Sequence, residues 1–175
     1  PSDGMIRASH STGKPTASLT GLDPDKATWG LAWSQDGRWL AAASDDATAH
    51  IWQLASPATP ILLRGHIADV KGVAWNKAGD RIATASLDQS VRIWQMPSGR
   101  LLTILNGHAS GVRSVAWSAD ETMLATASED GTARLFLTDF NQVLALARAQ
   151  QKIGLTADEY QACKSRIAQD TPTGK

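Results

Sequence analysis

His66, Thr84, Ser86 and Asp88 bring together an imidazole, two hydroxyls and a carboxylate, the side-chain types of a nucleophilic triad. In a triad the carboxylate orients the imidazole, the imidazole takes the hydroxyl proton, and the oxygen attacks a carbonyl. The spacing argues for another use. His108 and Asp130 repeat His66 and Asp88 at an interval of 42 residues, and Asp46 lies the same distance before Asp88. An active site occurs once in a chain, whereas a device that ties strands together recurs with the unit it ties. The set is read as structural, and no catalytic residue is assigned.

Other groups offer less chemistry. Gly13-Lys14-Pro15-Thr16 has the outline of a phosphate loop, but Ala8 stands where the upstream Gly is needed and Pro15 where Ser or Thr is needed. A hairpin turn accounts for it. Cys163 is the one cysteine, which excludes an internal disulfide and a multi-cysteine zinc site. His10 and His50 have no ligand-spaced partners and are expected at the surface. Neither a metal nor a cofactor is expected. Lys+Arg and Asp+Glu both number 17, so the chain lacks the positive field of a nucleic-acid binder or a basic membrane-surface protein. No apolar run approaches the ~18 residues of a membrane span. The opening Pro1-Ser2-Asp3-Gly4 has neither the basic flank nor the apolar stretch of a leader, and a cytoplasmic location is expected.

The elements that position these residues follow from the tryptophans, which make up 7 of the 10 aromatic residues. Trp33, Trp75 and Trp117 recur every 42 residues, as do Trp52 and Trp94, with Phe136 at the next step. Gly65-His66 and Gly107-His108 keep the same interval. A fixed period of this size marks a repeat architecture. Within one unit, residues 70–75, 81–86, 90–95 and 100–105 are short runs separated by turn residues. Four such strands make an antiparallel sheet that must stack on its neighbours. Trp33, Trp75 and Trp117 close equivalent strands and are assigned to packing between sheets. Trp29 and Trp39 break the register: Trp29 falls at the position of Lys71 and Arg113, and Trp39 at that of Arg81 and Met123.

Gly65-His66, the run from Val70 to Trp75 and the stretch RIATASLDQSVRIW from Arg81 to Trp94 resemble a WD-repeat unit of a β-propeller, with Gln95 in place of the eponymous Asp. The resemblance covers roughly residues 1–138 and implies an all-β fold. That fold is a partial propeller of about 3.5 four-stranded blades with a short C-terminal helical tail. Its units are the outer strands of a partial blade over 1–22, three repeats over 23–64, 65–106 and 107–148, and a helical and polar tail over 149–175. In the family, a His before the first strand, a hydroxyl on the second, an Asp in the next turn and a Trp on the third form a hydrogen-bonded chain. The middle unit has the full set: His66, Thr84 or Ser86, Asp88 and Trp94. The two hydroxyls share a strand face, so both remain open. The last unit keeps His108 and Asp130 but has Phe136. The first keeps Asp46 and Trp52, with Pro24 where the His belongs.

The resemblance also places partner contacts on the rim where the innermost strands begin. The matching positions are Trp29, Lys71 and Arg113, with Asp45, Leu87 and Glu129 just before each turn Asp. They vary between units while the framework residues do not.

Asp3-Gly4-Met5-Ile6-Arg7 aligns with Asp130-Gly131-Thr132-Ala133-Arg134, so the chain opens within a unit. A ring typically takes 4–8 blades, so closure is expected to use missing N-terminal blades or a second copy as a homo-oligomer. The segment VLALARAQQKIGLTADEY is similar to the closing segment of bacterial WD-repeat signalling proteins. Thr156-Ala157-Asp158-Glu159 adds a helix-capping signal ahead of Tyr160, Cys163 and Ile167. The expected function is a non-catalytic protein–protein interaction module, a scaffold or sensor within a larger signalling protein. It binds a protein or peptide, and neither nucleic acid nor membrane. The alternatives are a half-propeller that closes a ring by self-assembly, and a propeller enzyme with a site in its central channel.

Overall fold

The computed structural model describes residues 6–9, 15–56 and 59–138. Within them every regular element is a strand, and the strands form four antiparallel sheets. The first sheet pairs β1 (Ile6–Ser9) with β2 (Pro15–Leu19). The second runs in chain order through β3 (Thr28–Trp33), β4 (Trp39–Ser44), β5 (Ala49–Gln53) and β6 (Ile61–Leu63). The third repeats it with β7 (Val70–Trp75), β8 (Arg81–Ser86), β9 (Val91–Gln95) and β10 (Arg100–Leu105). The fourth contains β11 (Val112–Trp117), β12 (Met123–Ser128) and β13 (Ala133–Leu137). Stacked sheets of this kind make a partial β-propeller. The expected helical tail, the segment from Val143 to Tyr160, Cys163, His10 and Gly13-Lys14 lie outside the described residues.

A side chain fixes the turn between the first and second strand of each full unit. Ser34 Oγ accepts from the Trp39 amide at 3.0 Å and donates to Asp36 at 2.6 Å. Ser118 does the same with the Met123 amide and Asp120. Asn76 divides the task, its Oδ1 accepting from the Arg81 amide and its Nδ2 donating to Asp80.

The sheets pack small against large. Ala41, Ala43, Ala49 and Ile51 of the second sheet join one buried cluster with Val73, Trp75, Ile82 and Trp94 of the third. Ala83, Ala85, Val91 and Ile93 of the third meet Val112, Val115, Trp117 and Leu124 of the fourth. The alanines leave room for an indole from the next sheet, which no bulky β-former would allow. Trp117 adds a bond across this boundary, donating its Nε1 to the Ala74 carbonyl at 3.1 Å. Trp39, which breaks the register, tilts against Trp75 with ring centroids 6.4 Å apart.

At the inner edge the backbones converge. A Cβ on Gly72 would stand 3.0 Å from the Arg113 carbonyl oxygen and 3.1 Å from Ser114 Cα. Gly30 meets the Lys71 carbonyl in the same way. Glycine at this position of β3 and β7 lets neighbouring inner strands touch.

Trp33 departs from its assignment to sheet packing, being 53% exposed while Trp75 is buried. The first sheet explains this. Leu19 packs on Leu40, Ala42 and Trp52, so β1 and β2 cover the outer part of the second sheet and leave β3 bare among the described residues.

Candidate functional site

The complete set in the third sheet forms an unbroken chain of hydrogen bonds. Trp94 Nε1 donates to Thr84 Oγ1 at 2.9 Å, and Thr84 Oγ1 lies 2.7 Å from His66 Nε2. His66 Nδ1 lies 2.7 Å from Asp88 Oδ2. Burial pushes the His66 pKa below its ordinary value even though Asp88 pulls it upward. At neutral pH this favours the uncharged ring, and the partners fit a proton on Nδ1 towards the carboxylate with Nε2 accepting from the threonine. Thr84 is the hydroxyl of the chain. Ser86 instead donates to the Ala68 carbonyl at 3.0 Å and accepts from the Asp88 amide at 3.1 Å.

Carboxylate, imidazole and hydroxyl in this order have the distances of a triad, and burial decides what they do. Thr84 is 0% exposed, its proton is committed to His66, and its oxygen is occupied by the indole. The arrangement pins the loop before β7, strand β8, the turn at Asp88 and strand β9 to one another.

Sequence reasoning missed one member. Asp88 Oδ1 accepts from the Ser90 amide at 3.0 Å and from Ser90 Oγ at 2.6 Å. Asp46 does the same with Thr48, and Asp130 with Thr132. Burial alone would raise the Asp88 and Asp46 pKa values; hydrogen bonds from Ser90 and His66, and from Thr48 and His50, hold both below the carboxylate norm. Asp130 is held low chiefly by Thr132.

The flanking units solve the same problem with different atoms. In the fourth sheet His108 bridges Asp130 and Thr126 at 2.8 Å each, and Phe136 meets the ring edge-on. In the second sheet Ala42 stands at the Thr84 position, and Trp52 Nε1 donates to the Thr20 carbonyl at 2.9 Å. His50, expected at the surface, is 3% exposed. Its Nε2 lies 2.7 Å from Asp46 Oδ2, and its ring stacks on Trp52. It reaches the turn Asp from β5, at the position held by Arg92 and Arg134, and supplies the imidazole absent at Pro24.

The six rim candidates share one end of the sheets. The amides of Asp45, Leu87 and Glu129 donate to the carbonyls of Ala27, Asp69 and Gly111, just ahead of each inner strand. Trp29, Asp45 and Lys71 form one cluster. Trp29 Nε1 donates to Asp45, and Lys71 Nζ sits 3.8 Å from the Trp29 ring centroid, 2.7 Å from Asp45 and 3.0 Å from Asp69. Lys71, expected to face a partner, keeps only 7% of its side chain exposed because two carboxylates and an indole enclose it. Burial opposes its charge, but Asp45 and Asp69 raise its pKa above the ordinary value. Arg113 pairs with Glu129 in the open, and Leu87 packs over Gly111. Trp29 remains 54% exposed. Among the described residues, no three His, Cys, Asp or Glu side chains converge to hold a metal, and no helix is long and apolar enough to cross a membrane.

Residues 13–53, 59–95 and 99–136 each match the WD40 family, described as WD domain, G-beta repeat. The chain belongs to the WD40 family. Its matched repeats are out of step with the sheets. The first runs from β2 through β5, the second from β6 through β9, and the third from β10 into β13. Each WD40 repeat thus gives its first strand to the outer edge of one sheet and its other three to the next. WD40 repeats build protein-interaction modules. A 32-residue stretch is 50% identical to the probable cytosolic iron-sulfur protein assembly protein 1 of Cryptococcus neoformans var. neoformans serotype D, in two strains. That stretch is 18% of this chain and 7% of that protein, a small part of the relative's own length.

Proposed function

We propose that this WD40 chain is a non-catalytic scaffold or sensor module of a larger signalling or regulatory protein, and that its rim binds a protein or peptide. The observation that carries the reading is Trp29: a half-exposed indole held by Asp45 and Lys71 at the end of the sheets where the unit-to-unit differences gather. An aromatic side chain locked in place loses little entropy on contact, which suits a binding anchor. At the same end of the fourth sheet Arg113 and Glu129 present charges of both signs, which suits a mixed peptide surface better than a polyanion. The similarity of the closing segment to bacterial WD-repeat signalling proteins supports the larger parent. A cytoplasmic location agrees with the cytosolic protein that one stretch resembles.

The test is selection of binders from a displayed peptide library on the immobilised chain. Selected peptides should lose binding to Trp29→Ala and Glu129→Arg and keep it to Lys77→Ala, a change away from the rim. Peptides that bind all three variants equally would remove the rim from the interaction.

A further inference from the structure

The described sheets use one packing interface twice and expose both of its halves once more. Ala41, Ala43, Ala49 and Ile51 receive Val73 and Trp75; Ala83, Ala85, Val91 and Ile93 receive Val115 and Trp117. One period further on, the fourth sheet presents Ala125, Ala127, Ala133 and Leu135, all exposed, with Leu135 70% open. At the opposite end, β3 offers Leu31 and Trp33 at the Val73 and Trp75 positions, 55% and 53% exposed. Apolar clusters left open on a soluble surface mark contact sites. Here the chain itself carries the shape that fits each one.

We propose that a second copy of the chain covers these faces, the fourth sheet of one copy docking head-to-tail on β3 of the next. The same register that sets Lys71 beside Asp45 brings Trp29 beside Glu129 of the second copy, since Glu129 stands where Asp45 does. β1 aligns with β13, so the two compete for the third-strand place and docking exchanges one for the other. The contact is heterologous: it uses two different faces, and it grows into a ring or a longer assembly according to the rotation between copies. This inference rests on the packing faces and not on what the rim binds.

Sedimentation velocity of the full chain over rising concentration tests it. Species larger than a monomer are expected. Leu31→Glu and Leu135→Glu should each return the chain to a monomer, because each destroys one face in every copy. An equimolar mixture of the two variants should recover a dimer and stop there, since one intact face of each kind remains. Both residues are exposed, so unchanged circular dichroism is expected, and Trp33→Ser serves as a second variant of the β3 face. A wild-type chain that stays monomeric overturns the proposal. Association that survives either single variant, or a mixture that stays monomeric, overturns it too.

Discussion

Thr84→Val keeps the side-chain volume and removes one hydroxyl. That oxygen accepts from Trp94 Nε1 at 2.9 Å and donates to His66 Nε2 at 2.7 Å, with all three residues buried. The substitution leaves two buried polar groups without partners. Each orphaned group costs ~1–3 kcal/mol, so the loss should be about 2–6 kcal/mol. The fourth sheet supplies the comparison. Thr126 serves His108 in the same way, but Phe136 brings no N–H, so Thr126→Val orphans one principal group and should cost ~1–3 kcal/mol. Adding Trp94→Phe to Thr84→Val removes the stranded donor, and the double-mutant cycle should show a coupling of about 1–2 kcal/mol. Urea unfolding at neutral pH gives each value from the midpoint at constant slope. Equal losses for Thr84→Val and Thr126→Val, or a cycle that is simply additive, would refute the claim that indole, hydroxyl and imidazole act as one chain.

Two further outcomes follow from the same geometry. His50→Leu should destabilise by ~1–3 kcal/mol because Asp46 loses a buried partner, whereas a surface histidine would change the urea midpoint by less than about 0.5 kcal/mol. The second concerns acid. Because burial depresses the His66 pKa, the unfolded chain takes up that proton first as pH falls below about 6.5, so stability declines from there towards the folded pKa. The depressed Asp46, Asp88 and Asp130 carboxyls add a second loss as pH falls through about 4 and below. Urea midpoints between about pH 8 and about pH 5 should fall, and His66→Gln should flatten this upper limb. A variant with the same pH slope as the wild type would show that His66 does not carry it.

Much of this architecture was legible because it repeats. Trp75 and Trp117, the turn aspartates and the Gly-His pairs announce stacked four-stranded units before any coordinate is known. The choice between Thr84 and Ser86 was not legible, since both point from one face and only the distance to His66 separates them. His50 escaped because its partner lies off the period: it reaches Asp46 from the strand rather than from the preceding loop. Trp52 likewise found a backbone carbonyl, which leaves no mark in a sequence. Lys71 looked like a free contact because it varies with Trp29 and Arg113. Its enclosure depends on Asp45 of the neighbouring sheet, a distance the spacing does not encode. Trp33 followed the period and still lies open, because burial depends on what covers a strand as well as on its own pattern. Ser90 and its equivalents were different. The hydroxyl two residues after each turn Asp keeps the period and could have been read.

The offset between repeat and sheet has a consequence for synthesis. A chain leaving the ribosome completes the second sheet only when β6 emerges, and β6 already belongs to the repeat that will supply β7. Until then the outer edge of β5 offers unpaired amides and carbonyls, the kind of edge that recruits stray strands. The strand that closes this edge also tethers the start of the following sheet a few residues away. Among the described residues, the first three sheets are each closed by the leading strand of the next repeat, so a chain made from its N-terminus can seal each of them only once the repeat that follows has begun to emerge.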